Sequence, residues 1–120
     1  MMQPDYQRLE HILDYCDDIS SLIKRFGSSY DSFISDTAYQ KAAAFCILQI
    51  GELANGLSDE FRAGTSGEIP WRSIRGMRNV VVHNYGSIST DMLWNTMTND
   101  IPLLRKFCES RVDTVCSLNS

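Results

Sequence analysis

Between Trp71 and Gly86 the chain carries Arg72, Arg75, Arg78 and His83, and no acidic residue. A guanidinium is always protonated and its planar fork matches a phosphate, so arginines without local counter-charge form a candidate phosphate site. The spacing i, i+3, i+6 sets the three on one drifting row of a helix. The structural alternative carries equal weight: arginines that pair with acids on neighbouring helices while their stems cover apolar surface. His83 closes the segment. Histidine titrates near neutral pH and is the usual general acid or base there, yet a lone histidine is more often structural. Tyr85, beside Gly86, reads by itself as a packing or interface tyrosine.

These residues need a scaffold, and the pattern around them is helical. From Pro4, apolar residues recur at Tyr6, Leu9, Leu13, Cys16, Ile19, Ile23 and Phe26, in steps of three and four that make one stripe of an amphipathic helix. Gly27 stops it. A short segment, Tyr30 to Ile34, leads to Ser35 and Asp36, both good N-cap types. A second helix follows over roughly Asp36 to Leu57, rich in alanine and leucine and apolar over a broad face, so it should be central. Gly51 in its middle costs about 1 kcal/mol against alanine, a cost offset if another helix approaches closely there. Residues 58 to 70, with Gly64, Gly67 and Pro70, read as the longest loop. A third helix begins at Trp71 and runs to His83 or Asn84. Ser87 or Ser89 caps a fourth, which Pro102 should kink. Val80 to Val82 favour a strand by propensity, but no flanking strands exist to pair with them. The expectation is a single all-α domain over residues 1–120, an antiparallel bundle of four to five helices.

Composition narrows the function. The 120 residues carry a formal net charge of -4, which excludes a surface that is basic all over, so any nucleic-acid contact must be local. Cys16, Cys46, Cys108 and Cys116 form no C-x-x-C pair and read as small buried hydrophobes in a reducing compartment. With two distant histidines, His11 and His83, no metal site is expected. Residues 1–5 lack the basic start and apolar core of a signal peptide. No run approaches the roughly 18 apolar residues of a membrane span. A soluble cytoplasmic protein, with no membrane association, is expected.

The string Arg78-Asn79-Val80-Val81-Val82-His83-Asn84-Tyr85 reads as Arg, four residues, His, one residue, Tyr. That resembles the signature of HepT-like proteins of the HEPN superfamily. Around it, Ile69-Pro70-Trp71-Arg72 and Gly76-Met77-Arg78-Asn79 are similar to the family's approach to its motif. Gln49-Ile50-Gly51-Glu52 with Leu57-Ser58 resembles its second helix, and Leu93-Trp94 with Asp100-Ile101-Pro102-Leu103 its last. Arg-x4-His alone is a weak signal, whereas the ordered set spans nearly the whole chain. The resemblance implies an all-helical homodimer with Arg and His near the dimer cleft. It implies cleavage of RNA without metal or cofactor, by Arg78 and His83. It implies a partner, an MntA-type nucleotidyltransferase antitoxin that adds AMP to the motif tyrosine, here Tyr85. Asn79 also fits the pattern, and Arg72 and Arg75 would support phosphate binding.

Helix geometry does not by itself join the pair. Positions 78 and 83 lie about 140° apart on an ideal helix, whereas positions 78 and 85 nearly align. The length of the Arg side chain, fraying near Gly86, or a second subunit would bring Arg78 and His83 together. Beside the ribonuclease toxin stand two other readings. One is a non-catalytic helical dimer that binds nucleotide or a nucleotidyltransferase, and the other is a purely structural dimer. Trp71 and Trp94 are expected as core or interface anchors, and His11 on the solvent side. Glu52 could orient an arginine, though a peripheral ion pair is the simpler reading. Asp14, Asp17 and Asp18 form an acidic face, solvated or facing the arginine row of another chain.

Overall fold

The computed structural model describes the backbone of residues 3–83 and 89–119, and the side chains of residues 3–78 and 89–112. Among the described residues seven α-helices follow one another: α1 (Gln3–Phe26), α2 (Tyr30–Ile34), α3 (Thr37–Gly56), α4 (Asp59–Thr65), α5 (Trp71–His83), α6 (Thr90–Asn95) and α7 (Ile101–Asn119). One π-helical turn, Thr96–Asp100, joins the last two. No strand occurs among the described residues, in keeping with the all-α expectation.

Four starts are fixed by side-chain caps. Ser29, Asp36, Ser58 and Ser89 accept from the backbone N–H of Ser32, Tyr39, Phe61 and Met92. Each satisfies one of the orphan donors of a first turn. At the other end of α1, Gly27 adopts a φ of 120°, the left-handed geometry that turns a chain out of a helix at little cost. A Cβ there would also meet the Ser32 hydroxyl at 2.8 Å.

Contacts between chain-distant residues set the direction of every long helix. Tyr39, at the start of α3, donates its hydroxyl to the Gly27 carbonyl at 3.0 Å. At the opposite end Asp5 accepts from Ser58 N and Oγ at 2.8 and 2.7 Å. α1 and α3 are therefore antiparallel. Gly51 and Asn55 of α3 meet Arg78 and Arg75 of α5, so that pair is antiparallel too. Arg105 of α7 donates to Asp17 of α1 at 2.6 Å, and Trp94 packs beside Tyr39 near the end of α1. The result is an up-down-up-down bundle in which α3 lies between α1 and α5, and α7 covers α1.

The core runs through Leu9, Ile12, Cys16 and Ile19 of α1, Ala43, Ile47, Ile50 and Ala54 of α3, Ile74 of α5, and Met97, Ile101, Leu104 and Cys108 near α7. Each fully buried Leu or Ile contributes about 2 kcal/mol of hydrophobic stabilisation. Ile12, outside the expected stripe of α1, has no exposed surface, while Leu13 is only partly buried. An aromatic cluster closes each end: Phe26, Tyr30, Phe33, Tyr39 and Trp94 at one, and Phe61, Trp71 and Phe107 at the other.

The short segment Tyr30–Ile34 is a capped helical turn. Two expectations are corrected. Residues 58–70 are not one long loop, because α4 occupies Asp59–Thr65. Ser58 followed by Asp59 and Glu60 is a start signal, a cap with acids in the first turn, hidden by an apolar pattern too short to show a period. Pro102 does not sit in the interior of one continuous helix. It is the second residue of α7, and the π turn widens the backbone ahead of a ring that cannot donate an N–H.

Ser58 does two jobs, capping α4 and satisfying Asp5, which is only 2% exposed. Ser58→Ala is expected to cost about 2 kcal/mol, the sum of a lost cap and a weakened buried carboxylate. Urea titration followed by circular dichroism checks this. A change below half that size would mean that Asp5 finds other donors.

Candidate functional site

α5 presents its arginines to α3, and Gly51 sets how closely. A Cβ built on Gly51 would lie 2.9 Å from Arg78 Cβ and 3.2 Å from Arg78 N. The close approach expected from a glycine in a central helix is therefore real, and it occurs at Arg78 itself. The next residue of α3, Glu52, accepts from Arg78 Nε in an ion pair whose side chains are 39% and 46% exposed. One turn on, Asn55 Oδ1 accepts from both Nε and Nη2 of Arg75, at 3.1 and 2.9 Å. Arg72 is exposed, with no hydrogen-bond or ion-pair partner among the described residues.

The three arginines surround one open depression of about 420 Å³, lined by Asn55, Arg72, Arg75, Gly76 and Arg78. Among the described residues, three guanidiniums against one carboxylate leave it positively charged in a chain that is acidic overall. Among the described residues, Arg78 has an acid partner, Arg75 has a neutral one, and Arg72 has neither. Such a surface suits an anion with several oxygens, to which arginine donates in a fork.

Gly76 adds a detail. It lies in the middle of α5, where glycine costs about 1 kcal/mol against alanine, and a Cβ there would meet nothing within 4 Å. Packing does not require it, while its place on the wall of the depression keeps that space open. Gly76→Ala is expected to raise stability by up to about 1 kcal/mol. Gly76→Leu should block anion binding while the fold persists, read by thermal unfolding and by binding of a labelled RNA. Unimpaired binding by the leucine variant would remove the depression from the site.

The motif continues along α5. Asn79 lies on the helix and His83 is its last residue. The side chains of Asn79 and His83 are outside the described residues, as is Tyr85 altogether. His83 is placed by its backbone, about 7.5 Å along the axis from Arg78 and about 140° around it. It stands toward the end of the bundle where α1 finishes.

Elsewhere, Cys16, Cys46 and Cys108 are buried and unbridged, as expected for small apolar residues. Burial pushes their thiols up, Cys46 to about 11 and Cys108 to about 12, with Cys16 raised further. Thiolates are the reactive form, so a thiol reagent at pH 8 should leave these three unmodified until the chain unfolds. Mass spectrometry of the labelled native protein checks this, and modification of Cys46 at the native rate of a free thiol would contradict it. Trp71 is core and donates to Thr65 Oγ1 at 2.8 Å, whereas Trp94 is half-buried among rings. His11, Asp14 and Asp18 are exposed, while Asp17 pairs with Arg105 within the chain. Among the described residues, no three His, Cys, Asp or Glu side chains gather as a metal site would require.

Residues 12–111 match the Ribonuclease HepT-like family. The chain belongs to that family. Similar proteins include two named "Putative RNase". One, from Caldanaerobacter subterraneus subsp. tengcongensis, is 35% identical over 82% of this chain and 85% of its own. The other, from Methanocaldococcus jannaschii, is 29% identical over 89% and 86%. A protein of Thermococcus cleftensis named "Probable ribonuclease HepT" is 32% identical over 77% and 87%. No solved structure matches the chain. Within this HepT-like fold the charge row of the sequence comprises Arg72, Arg75 and Arg78, and the structure brings all three to one depression. Sequence reasoning missed Asn55. The available signal was its place four residues after Gly51 and three after Glu52, on the same face of α3.

Proposed function

We propose that this HepT-like protein is a metal-independent RNA endonuclease, the toxin of a type VII-like toxin–antitoxin pair in the cytoplasm. The observation that supports it is the positive depression between α3 and α5, with Arg78 at its edge, in a chain of a ribonuclease family. RNA brings its own nucleophile. His83 removes the proton from a 2′-hydroxyl, or protonates the leaving 5′-oxygen. The 2′-oxygen bonds to phosphorus, the P–O5′ bond breaks, and the fragments end in a 2′,3′-cyclic phosphate and a 5′-hydroxyl. Arg78 stabilises the charge that builds on the non-bridging oxygens. Asn79, Arg75 and Arg72 hold neighbouring phosphates.

Each chain has one candidate histidine for a reaction that wants an acid and a base. A homodimer with its two-fold axis along α5 supplies His83 from both subunits, and also removes the difficulty that Arg78 and His83 face different ways on one helix. Regulation uses Tyr85. An MntA-type nucleotidyltransferase would transfer AMP from ATP to its phenol oxygen, with loss of the phenol proton and release of pyrophosphate, placing a bulky anion next to Arg78 and excluding RNA.

Induction of the gene in growing cells tests the proposal. Wild type arrests growth, while Arg78→Ala and His83→Ala, expressed to the same level, do not. If none of the three arrests growth and the purified wild type is folded and unmodified, a helical dimer that holds a nucleotidyltransferase becomes the better description.

A further inference from the structure

From the contacts of α3 we infer that Glu52 and Asn55 are positioning residues with different tasks: Glu52 aims Arg78 at the reacting phosphate, and Asn55 presents Arg75 to a neighbouring one. The inference rests on the ribonuclease reading and deepens it. α3 meets the arginine row with three residues of one face, Gly51, Glu52 and Asn55. Gly51 lets the backbone of α5 come within van der Waals reach, so the first atoms of the Arg78 side chain are fixed by packing. Glu52 then engages Nε, which fixes the turn of the guanidinium plane. A long side chain on a helix surface loses its reach to rotamer disorder unless something holds it.

The two partners differ in charge, and that difference assigns the tasks. Glu52 offsets the charge of Arg78, so Arg78 adds little to binding of a resting phosphate. Its value lies in the transition state, where charge on the oxygens increases and orientation counts most. Asn55 is neutral. It grips the Nε and Nη2 edge of Arg75 with one oxygen and leaves the full positive charge for the ligand. Arg75, with Arg72 beyond it, therefore sets affinity for the RNA backbone, and Arg78 sets rate.

Steady-state cleavage of a fluorescent single-stranded RNA by the purified full chain separates these tasks. Glu52→Gln keeps the shape and removes the charge. It is expected to lower kcat about 10²-fold, the cost of a misplaced group. At the same time KM should fall about threefold, because Arg78 is no longer neutralised and an exposed ion pair is worth about that much. Glu52→Asp should recover at least part of the loss in kcat. Asn55→Ala should raise KM about fivefold with kcat little changed. A merely structural role for Glu52 would lower kcat in step with the thermal midpoint and leave KM alone, and that pattern overturns the inference. So does an unchanged kcat in Glu52→Gln.

If wild type cleaves no RNA, the ribonuclease reading fails separately, and the positioning is then read by NMR. The Arg78 Nε–H signal should be protected from exchange in wild type and lose that protection in Glu52→Ala, which offers no acceptor there. An unaltered signal overturns the inference.

Discussion

His83→Ala is expected to lower RNA cleavage about 10³-fold, within the range that a positioned acid or base supplies. Arg78→Ala should cost a similar factor through lost charge stabilisation. Neither loss should come from unfolding. The Arg78–Glu52 pair is exposed to solvent on both sides, and such pairs stabilise by about 1 kcal/mol or less. The core of the bundle does not include Arg78, so circular dichroism and thermal unfolding should stay close to wild type. The double variant should be hardly worse than either single one, since two groups acting on one transition state do not contribute independently. Activity that persists within tenfold in Arg78→Ala would remove the arginine from the chemistry.

A second large effect is expected at Gly51, which no substrate needs to touch. Two terms compete in Gly51→Ala. Alanine raises helix propensity by about 1 kcal/mol, and overpacking costs about 1–3 kcal/mol. The clash is with Arg78 Cβ at 2.9 Å and Arg78 N at 3.2 Å, atoms that retreat only if α5 moves as a body. Overpacking should therefore win, by about 1 kcal/mol. The larger consequence is functional. A shift of α5 by up to about 1 Å carries the whole arginine row away from Glu52 and Asn55, and a displacement of that size costs about 10²-fold in rate. Measured well below the thermal midpoint, where the variant is folded, kcat should be depressed and remain so on adding RNA. A folded Gly51→Ala with full activity would show that the spacing of α3 and α5 does not set the site.

How much of this was legible in the residues follows from the range of the forces involved. The long helices declared themselves because an apolar stripe repeats over many turns, as along Leu9, Cys16 and Ile19. The glycine at position 51 announced a close approach because mid-helix glycine has a cost that packing must answer. The short α2 and α4 did not show, since one or two turns carry no period and only their caps, Ser29 and Ser58, mark them. The break ahead of Pro102 was legible as a disturbance but not as a π turn, which depends on how the ring is accommodated in three dimensions. In the site, the arginine row was visible as a charge anomaly. Of its partners, Glu52 was visible only as a candidate and Asn55 not at all, because they lie 26 and 20 residues from the arginines they hold, and only the antiparallel packing of α3 on α5 joins them.

Arg78 and His83 are proposed to cut RNA through its own 2′-hydroxyl. The most direct measurement is incubation of the purified protein with an end-labelled single-stranded RNA in a chelator, beside the same sequence carrying 2′-O-methyl groups. Fragments ending in 2′,3′-cyclic phosphate are expected from the unmodified RNA, none from the methylated strand, and none from either strand with Arg78→Ala. Cleavage of the methylated strand, or cleavage by wild type and Arg78→Ala alike, would contradict it.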